Sequence, residues 1–87
     1  MKLDPDLLTR YLHRLRNQSE WMTLNEVGET LKMDRATSRR YTKLAMEWGL
    51  VERQQQENQP TLVRATEKLV ELDPSEVRSV VNTHCAK

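Results

Sequence analysis

Hydrophobic positions near the start of the chain recur at the spacing of an amphipathic helix. Asp4 can cap such a helix, and Pro5 suits its first position. The pattern therefore predicts a first helix over residues 4–17. A polar connection follows, and Trp21 with Met22 is expected to form a short edge strand. The apolar stripe of the helix consists of Leu8, Tyr11, Leu12 and Leu15.

Two more helices, joined by a tight turn, are predicted over residues 23–33 and 35–48. Thr23 with Glu26 three residues later is typical of a capping box, and Asp34 can cap the second helix. Gly49 suits a left-handed stop after it. Gly28 costs about 1 kcal/mol relative to alanine inside a helix, so we expect a neighbouring helix to approach closely there. The apolar sides comprise Leu24, Val27 and Leu31 in one helix and Tyr41, Leu44, Ala45 and Trp48 in the other.

The second half of the chain predicts a β-hairpin over residues 50–65 and two short helices over residues 67–86. Two apolar segments flank a polar tip rich in glutamine, which is the pattern of a hairpin. Thr66 can cap the next helix, and the Asp73-Pro74 pair starts another. Val77, Val80 and Val81 recur at helical spacing in the last helix. No repeat or long linker divides the chain, so residues 1–87 are expected to form a single domain.

Composition and charge restrict the function. The chain has 87 residues, of which 37% are hydrophobic and 31% charged, with a net charge of +1. A monomer of this size buries only a modest core, so an oligomer is a reasonable expectation. No apolar run is long enough for a membrane span or a signal peptide, and we expect a cytoplasmic protein that does not enter membranes.

The sequence offers no recognisable catalytic chemistry. Cys85 is the only cysteine, so an intramolecular disulfide and a thiolate zinc cage are both excluded. His13 and His84 have no partner for nucleophilic catalysis at the level of sequence. The two glycines do not form a phosphate-binding loop. We therefore expect no enzymatic activity, no metal site and no cofactor.

The order of these elements resembles a winged helix-turn-helix domain of the bacterial and phage regulator type. The resemblance rests on three segments, residues 24–31, 34–40 and 48–53, and it covers residues 21–72. Residues 62–68 are similar to the junction that follows the wing in MarR-like proteins. The chain is shorter than those proteins, and its wing tip has one acidic and no basic residue. The resemblance implies a mainly α fold with a small β-hairpin, an α+β class, and an additional C-terminal helix.

In such a domain the second helix of the pair is the recognition helix, which enters the major groove of DNA. Arginine at this position can read guanine edges with two hydrogen bonds, as Arg39 or Arg40 would. Thr37 could bind phosphate or pack against a thymine methyl group. The alternative is a basic helix face that is merely solvated. The candidate DNA-binding residues are Arg35, Thr37, Ser38, Arg39, Arg40 and Lys43 on the helix, with Arg53 and Arg64 on the wing strands.

The sequence thus predicts a small transcriptional regulator that binds double-stranded DNA sequence-specifically. A homodimer through Val77, Val80 and Val81 would suit a two-fold-symmetric site. The alternative is that the last helix folds back on its own domain. Two other functions remain open, namely a winged helix that binds a protein partner and RNA binding through the same basic face.

Overall fold

The chain folds into five helices and one three-stranded antiparallel sheet in a computed structural model that describes residues 4–18 and 20–85. Within these residues no helix is both long and apolar enough to cross a membrane. The elements in chain order are α1 (Pro5–Arg16), β1 (Met22–Thr23), α2 (Leu24–Leu31), α3 (Arg35–Glu47), β2 (Val51–Gln54), β3 (Leu62–Ala65), α4 (Glu67–Glu71) and α5 (Pro74–Cys85).

The first helix begins where the sequence predicts. The Asp4 carboxylate accepts hydrogen bonds from the backbone amides of Asp6 and Leu7, at 3.0 and 3.2 Å. These bonds satisfy amides that have no partner inside a helix. The predicted range of residues 4–17 includes the two capping residues, which lie just outside α1. The predicted stripe of Leu8, Tyr11, Leu12 and Leu15 is confirmed, since each side chain is almost fully buried.

Side-chain caps also set the starts of α2 and α3. Thr23 Oγ1 accepts from the amide of Glu26 at 3.0 Å, and Asp34 Oδ1 accepts from the amide of Thr37 at 2.7 Å. The second bond favours the ionised carboxylate and lowers the pKa of Asp34. The predicted end of α2 is two residues too late. Lys32 adopts a φ of 57°, in the left-handed region, and this conformation ends the helix at Leu31.

The close approach predicted at Gly28 is confirmed. A Cβ placed there would lie 3.0 Å from Ser38 Oγ in α3 and 3.1 Å from the backbone oxygen of Met33. Ser38 is 3% exposed, and glycine opposite this small side chain lets the two helices cross closely. The crossing fixes the position of α3 relative to α2.

The sheet has the strand order β1-β3-β2, which makes β1 and β2 its edges. The expected short edge strand is present but one residue later than predicted, since β1 comprises Met22 and Thr23, and Met22 pairs with Val63. In the hairpin, Val51 is opposite Ala65 and Glu52 is opposite Arg64. Gly49 has a φ of 76° between α3 and β2, which confirms the predicted left-handed stop.

The C-terminal segment packs against the chain's own core. The helical range predicted over residues 67–86 is interrupted at Leu72 and Asp73, and residue 86 lies outside the described residues. Val77 and Val81 are fully buried in the same core as Leu8 and Leu12 of α1. Their predicted dimer contact therefore needs correction, because these two side chains are already enclosed within their own domain. Val80 is only partly buried.

Trp48 lies at the edge of the core and not at its centre. α3 ends at Glu47, one position before its predicted end, and Trp48 is the C-cap residue that follows. Its ring stacks on that of His84 in α5, with 4.3 Å between the ring centroids and 13° between the planes. Tyr41 and Ala45 face the core as predicted, and Leu44 is partly buried.

Candidate nucleic-acid interface

The outward side of α3 carries a row of long side chains. Arg35, Arg39, Lys43 and Met46 are exposed and follow one another at spacings of three or four residues. Residues with this spacing lie on one side of a helix. The opposite side, with Ser38, Tyr41 and Ala45, faces the protein core. The basic side chains thus point away from the domain.

An open groove separates this row from the hairpin formed by β2 and β3. Its volume is about 690 Å³, and Arg39 and Lys43 line it from α3 while Arg53 lines it from β2. A smaller groove of about 260 Å³ lies beside it and shares Arg39 and Gln55. We call the two together the α3–hairpin groove. The residues that line it besides those named are Thr23, Leu24, Asn25, Arg35, Thr42, Met46, Glu47, Gln59, Pro60 and Thr61.

The charge of the groove is mainly positive. Arg39, Lys43 and Arg53 form no salt bridge with any described residue, so their charges are uncompensated by protein carboxylates at contact distance. Glu47, at the end of α3, is the acidic residue among the lining residues. A groove of this charge attracts polyanions.

The structure separates the two wing arginines that the sequence groups together. Arg53 is opposite Val63 and shares the inward face of the hairpin, where it reaches the groove. Arg64 is opposite Glu52 on the other face and donates from Nε to Glu52 Oε1 at 2.9 Å. Its guanidinium also lies 4.5 Å from the ring centre of Trp21, within the range of a cation–π contact. Arg64 faces away from the groove, so its predicted phosphate contact stays a prediction that the groove itself does not support.

The predicted role of Ser38 also needs correction. Its side chain is 3% exposed at the crossing with α2, so it cannot contact DNA without a rearrangement of the helices. Thr37 and Arg40 are partly buried, and Arg35 is exposed beside the smaller groove.

Buried hydroxyl groups anchor α3 against α1. Thr42 Oγ1 donates to the backbone oxygen of Ser38 at 2.8 Å, so the Tyr11 hydroxyl, 2.5 Å from Thr42 Oγ1, is the donor in the second bond. Burial raises the pKa of Tyr11 to about 12. Tyr41 adds a second link, because its hydroxyl accepts from the Asp4 amide at 3.0 Å. These bonds fix the orientation of α3 about its own axis and therefore the direction in which its basic side points.

The residues of the groove that the sequence analysis does not assign to the interface include Leu24, Asn25 and Met46. Leu24 was assigned to the core, but it is only partly buried and lines the groove. Met46 is seven residues after Arg39, a spacing that places both on one side of α3. That spacing was the available signal for Met46. Asn25 follows the cap of α2, and no sequence signal marks it.

Solved structures of a bacterial protein are similar to this chain in architecture. A double mutant of Lactococcus lactis ZitR superposes with a TM-score of 0.65 at 26% identity, covering 97% of this chain and 53% of that protein. The apo form of that mutant gives a TM-score of 0.64 at 25% identity, over 91% of this chain and 56% of the other. ZitR itself, described as a zinc-responsive MarR family member, gives 0.66 at 19% identity, over 99% and 58%. The chain has a winged helix-turn-helix fold.

This chain spans about half the length of the ZitR structures that it matches. No family model matches its sequence, and a search of curated proteins finds no match. Among residues 4–18 and 20–85 there is no group of three or more histidine, cysteine, aspartate or glutamate side chains that could hold a metal ion.

Proposed function

We propose that this winged helix binds double-stranded DNA sequence-specifically, as the DNA-reading part of a transcription regulator. The observation that carries the proposal is the convergence of Arg39, Lys43 and Arg53 from two different elements on one open groove. None of the three is neutralised by a described carboxylate. The similarity to a MarR family protein supports the same function for this chain.

In the proposed complex, α3 lies in the major groove. A helix with its side chains is about 10–12 Å across, and the major groove of B-DNA is about 12 Å wide. Arg35 and Arg39, in the first half of α3, would reach base edges. Arg53 would bind a phosphate on the hairpin side of the groove and so fix the register of the domain on the duplex.

The tip of the hairpin would make weaker, uncharged contacts. Gln55 and Gln59 are exposed and line the groove, while Glu57 at the tip is acidic. Amide side chains can donate to phosphate or sugar oxygens without a net charge. The hairpin tip therefore helps to position the domain on the duplex and adds little electrostatic affinity.

A protein-binding winged helix is the main alternative, and the net charge of +1 with a tip that lacks basic residues favours it. RNA binding through the same basic face is a further alternative. Salt separates protein binding from DNA binding, because each phosphate contact contributes to a steep loss of affinity as salt rises. An apolar protein contact would not show that dependence. A duplex RNA competitor of matched length separates RNA from DNA.

We also propose that the protein acts as a homodimer on a two-fold-symmetric site. A paired reader suits the two half-sites of such a sequence. The thin core of an 87-residue chain is consistent with additional burial on assembly. Val77 and Val81 are enclosed in their own domain, which leaves Val80 as the predicted valine that a second copy could still contact.

Selection of bound duplexes from a random DNA pool, at a stated salt concentration, tests the proposal. We expect one enriched motif, and a symmetric motif would support the dimer. The Arg39→Ala and Arg53→Ala double variant is expected to lose the enrichment, while Arg64→Ala, which removes the same charge from the opposite face, retains it. Absence of enrichment with the wild type, or equal enrichment with the groove variant, would contradict DNA recognition by this groove.

A further inference from the structure

One large hydrophobic side chain is exposed at the C-terminal end of the basic row on α3. Met46 lies on α3, on the same side as Arg39, and is 36% exposed. Most large hydrophobic side chains of the chain are buried in the core or packed against it. An apolar side chain beside uncompensated cations does not increase the attraction to phosphate. Its position therefore indicates contact with a chemical group other than phosphate.

Met46 is not isolated, because Leu24 and Thr42 line the same groove. The Thr42 hydroxyl is occupied by its bonds with Tyr11 and the backbone of Ser38. Thr42 is only 2% exposed, so it offers a ligand almost no surface. Leu24 is partly buried at the start of α2. Leu24 and Met46 thus form an apolar strip on the wall of a cationic groove.

The flanking charges restrict what can occupy this strip. Arg39, Lys43 and Arg53 favour an anionic ligand, yet the strip itself offers no hydrogen bond to a polar group. DNA combines both properties, because phosphates flank the major groove and the C5-methyl group of thymine is an apolar element exposed within it.

We propose that the apolar strip of Leu24 and Met46 packs against thymine methyl groups and so selects for thymine at a defined position of the bound site. This inference rests on the proposed DNA binding. Arginine contacts would then specify guanine, while Met46 specifies thymine without any hydrogen bond. Cytosine lacks the methyl group, so a thymine-to-cytosine change would leave the strip without its contact.

Replacement of thymine by deoxyuridine tests this directly, since it removes the methyl group and retains the base-pairing pattern. The probe is the duplex enriched from the random pool, synthesised with deoxyuridine at one thymine position at a time. We expect about fourfold weaker binding at one thymine per half-site, which corresponds to the burial of about one methyl-sized group.

Met46→Gln supplies the matching protein change, because glutamine is similar in length and helix preference but polar at its end. For this variant we expect the selected position to tolerate deoxyuridine without further loss. Val70→Ala is the control, since Val70 is 51% exposed on α4, away from the groove lining. It should keep the wild-type sensitivity to deoxyuridine. Circular dichroism confirms that each variant is folded.

The outcomes separate this inference from the function on which it rests. Tight binding with no sensitivity to deoxyuridine at any position would overturn methyl recognition and leave DNA binding intact. Equal sensitivity in the wild type and Met46→Gln would also overturn it, because another residue would then read the methyl group. If no duplex is enriched at all, both proposals fail together.

Discussion

Gly28 and Ser38 meet where α2 crosses α3, so closely that a Cβ at residue 28 would lie 3.0 Å from Ser38 Oγ. Ser38 Oγ is buried, and it finds no hydrogen-bond partner among the described residues. The crossing therefore depends on small volume and not on a polar contact. It also determines how far α3 stands out from the domain, which links packing at this point to the candidate interface.

Gly28→Ala should destabilise the protein although alanine is the better helix former. We expect the free energy of unfolding to fall by about 1–2 kcal/mol, because overpacking at the crossing outweighs the gain in helix propensity. Denaturation in urea measures the change. Adding Ser38→Ala removes one of the two close contacts and should recover part of the loss, while the contact with the Met33 backbone oxygen remains. A Gly28→Ala protein more stable than the wild type would show that α3 moves aside freely.

The Tyr11 hydroxyl gives the fold a specific dependence on alkaline pH. Its pKa rises from 10.0 in the unfolded chain to about 12 in the folded protein. A raised pKa means that the folded state holds the proton more tightly. The corresponding stability is fully present below pH 10 and is lost as pH rises toward 12, by an amount of about 2–3 kcal/mol.

Tyr11→Phe should therefore flatten the decline in stability between pH 10 and pH 12. At neutral pH the variant should be less stable by about 1 kcal/mol, because Thr42 loses a hydrogen-bond donor. Urea unfolding at several pH values measures both effects. Tyr41→Phe is the control, since it removes a hydroxyl that is bonded to the Asp4 amide and not to Thr42. Identical slopes for the wild type and Tyr11→Phe would contradict the assignment of this pH dependence to Tyr11.

The stack of Trp48 on His84 should couple α3 to α5. A double-mutant cycle with Trp48→Ala and His84→Ala is expected to give a coupling free energy of about 0.5–1.5 kcal/mol. Because Trp48 is only partly buried, Trp48→Ala should cost less than the 3–5 kcal/mol that is typical of a well-buried ring. Thermal unfolding of the four proteins measures the cycle. Strictly additive effects would mean that the two rings do not support each other in solution.

Local hydrogen bonds explain why much of this fold could be predicted from the sequence. Each of these features depends on residues within a few positions, so the local sequence is enough to predict it. They are the caps at Thr23 and Asp34 and the helix stop at Gly49. The helix-turn-helix and the hairpin followed from them. The interface was harder, because it depends on which faces of separate elements meet in space.

The alternation of side chains along β2 and β3 could have distinguished the two wing arginines from the sequence alone. Side chains alternate between the two faces of a strand. The side chain of Arg64 must therefore point to the other face of the sheet from its buried neighbours Val63 and Ala65. By the same alternation, Arg53 shares the inward face with Val51. Strand parity could have separated Arg53 from Arg64 in advance. The partners of Arg64, Glu52 and Trp21, required the register of the sheet.

The valines of α5 mark a limit of a different kind. A stripe at helical spacing shows that a helix covers an apolar surface, but it does not show which surface. Val77 and Val81 cover α1 of their own domain. Burial in the same chain and burial in a partner have the same periodicity, so only the arrangement of the helices distinguishes them.

Val81→Asp and Val80→Asp should consequently differ sharply. Val81 is fully buried, and an unpaired carboxylate at its position would cost several kcal/mol, comparable with the total stability of a small domain. We expect Val81→Asp to be unfolded by circular dichroism. Val80 is partly buried, so Val80→Asp should stay folded. A folded Val81→Asp protein would contradict the packing of α5 on α1.

Val80→Asp also tests the proposed homodimer. Sedimentation at micromolar protein concentration should give a dimer for the wild type and a folded monomer for Val80→Asp, with weaker binding to the symmetric duplex because each half-site is then read separately. Arg78→Ala on the same helix is a control for a change at an exposed position, since Arg78 pairs with Asp6 of α1 on the surface. A wild-type protein that is monomeric and still binds a single half-site at full affinity would rule out the dimer.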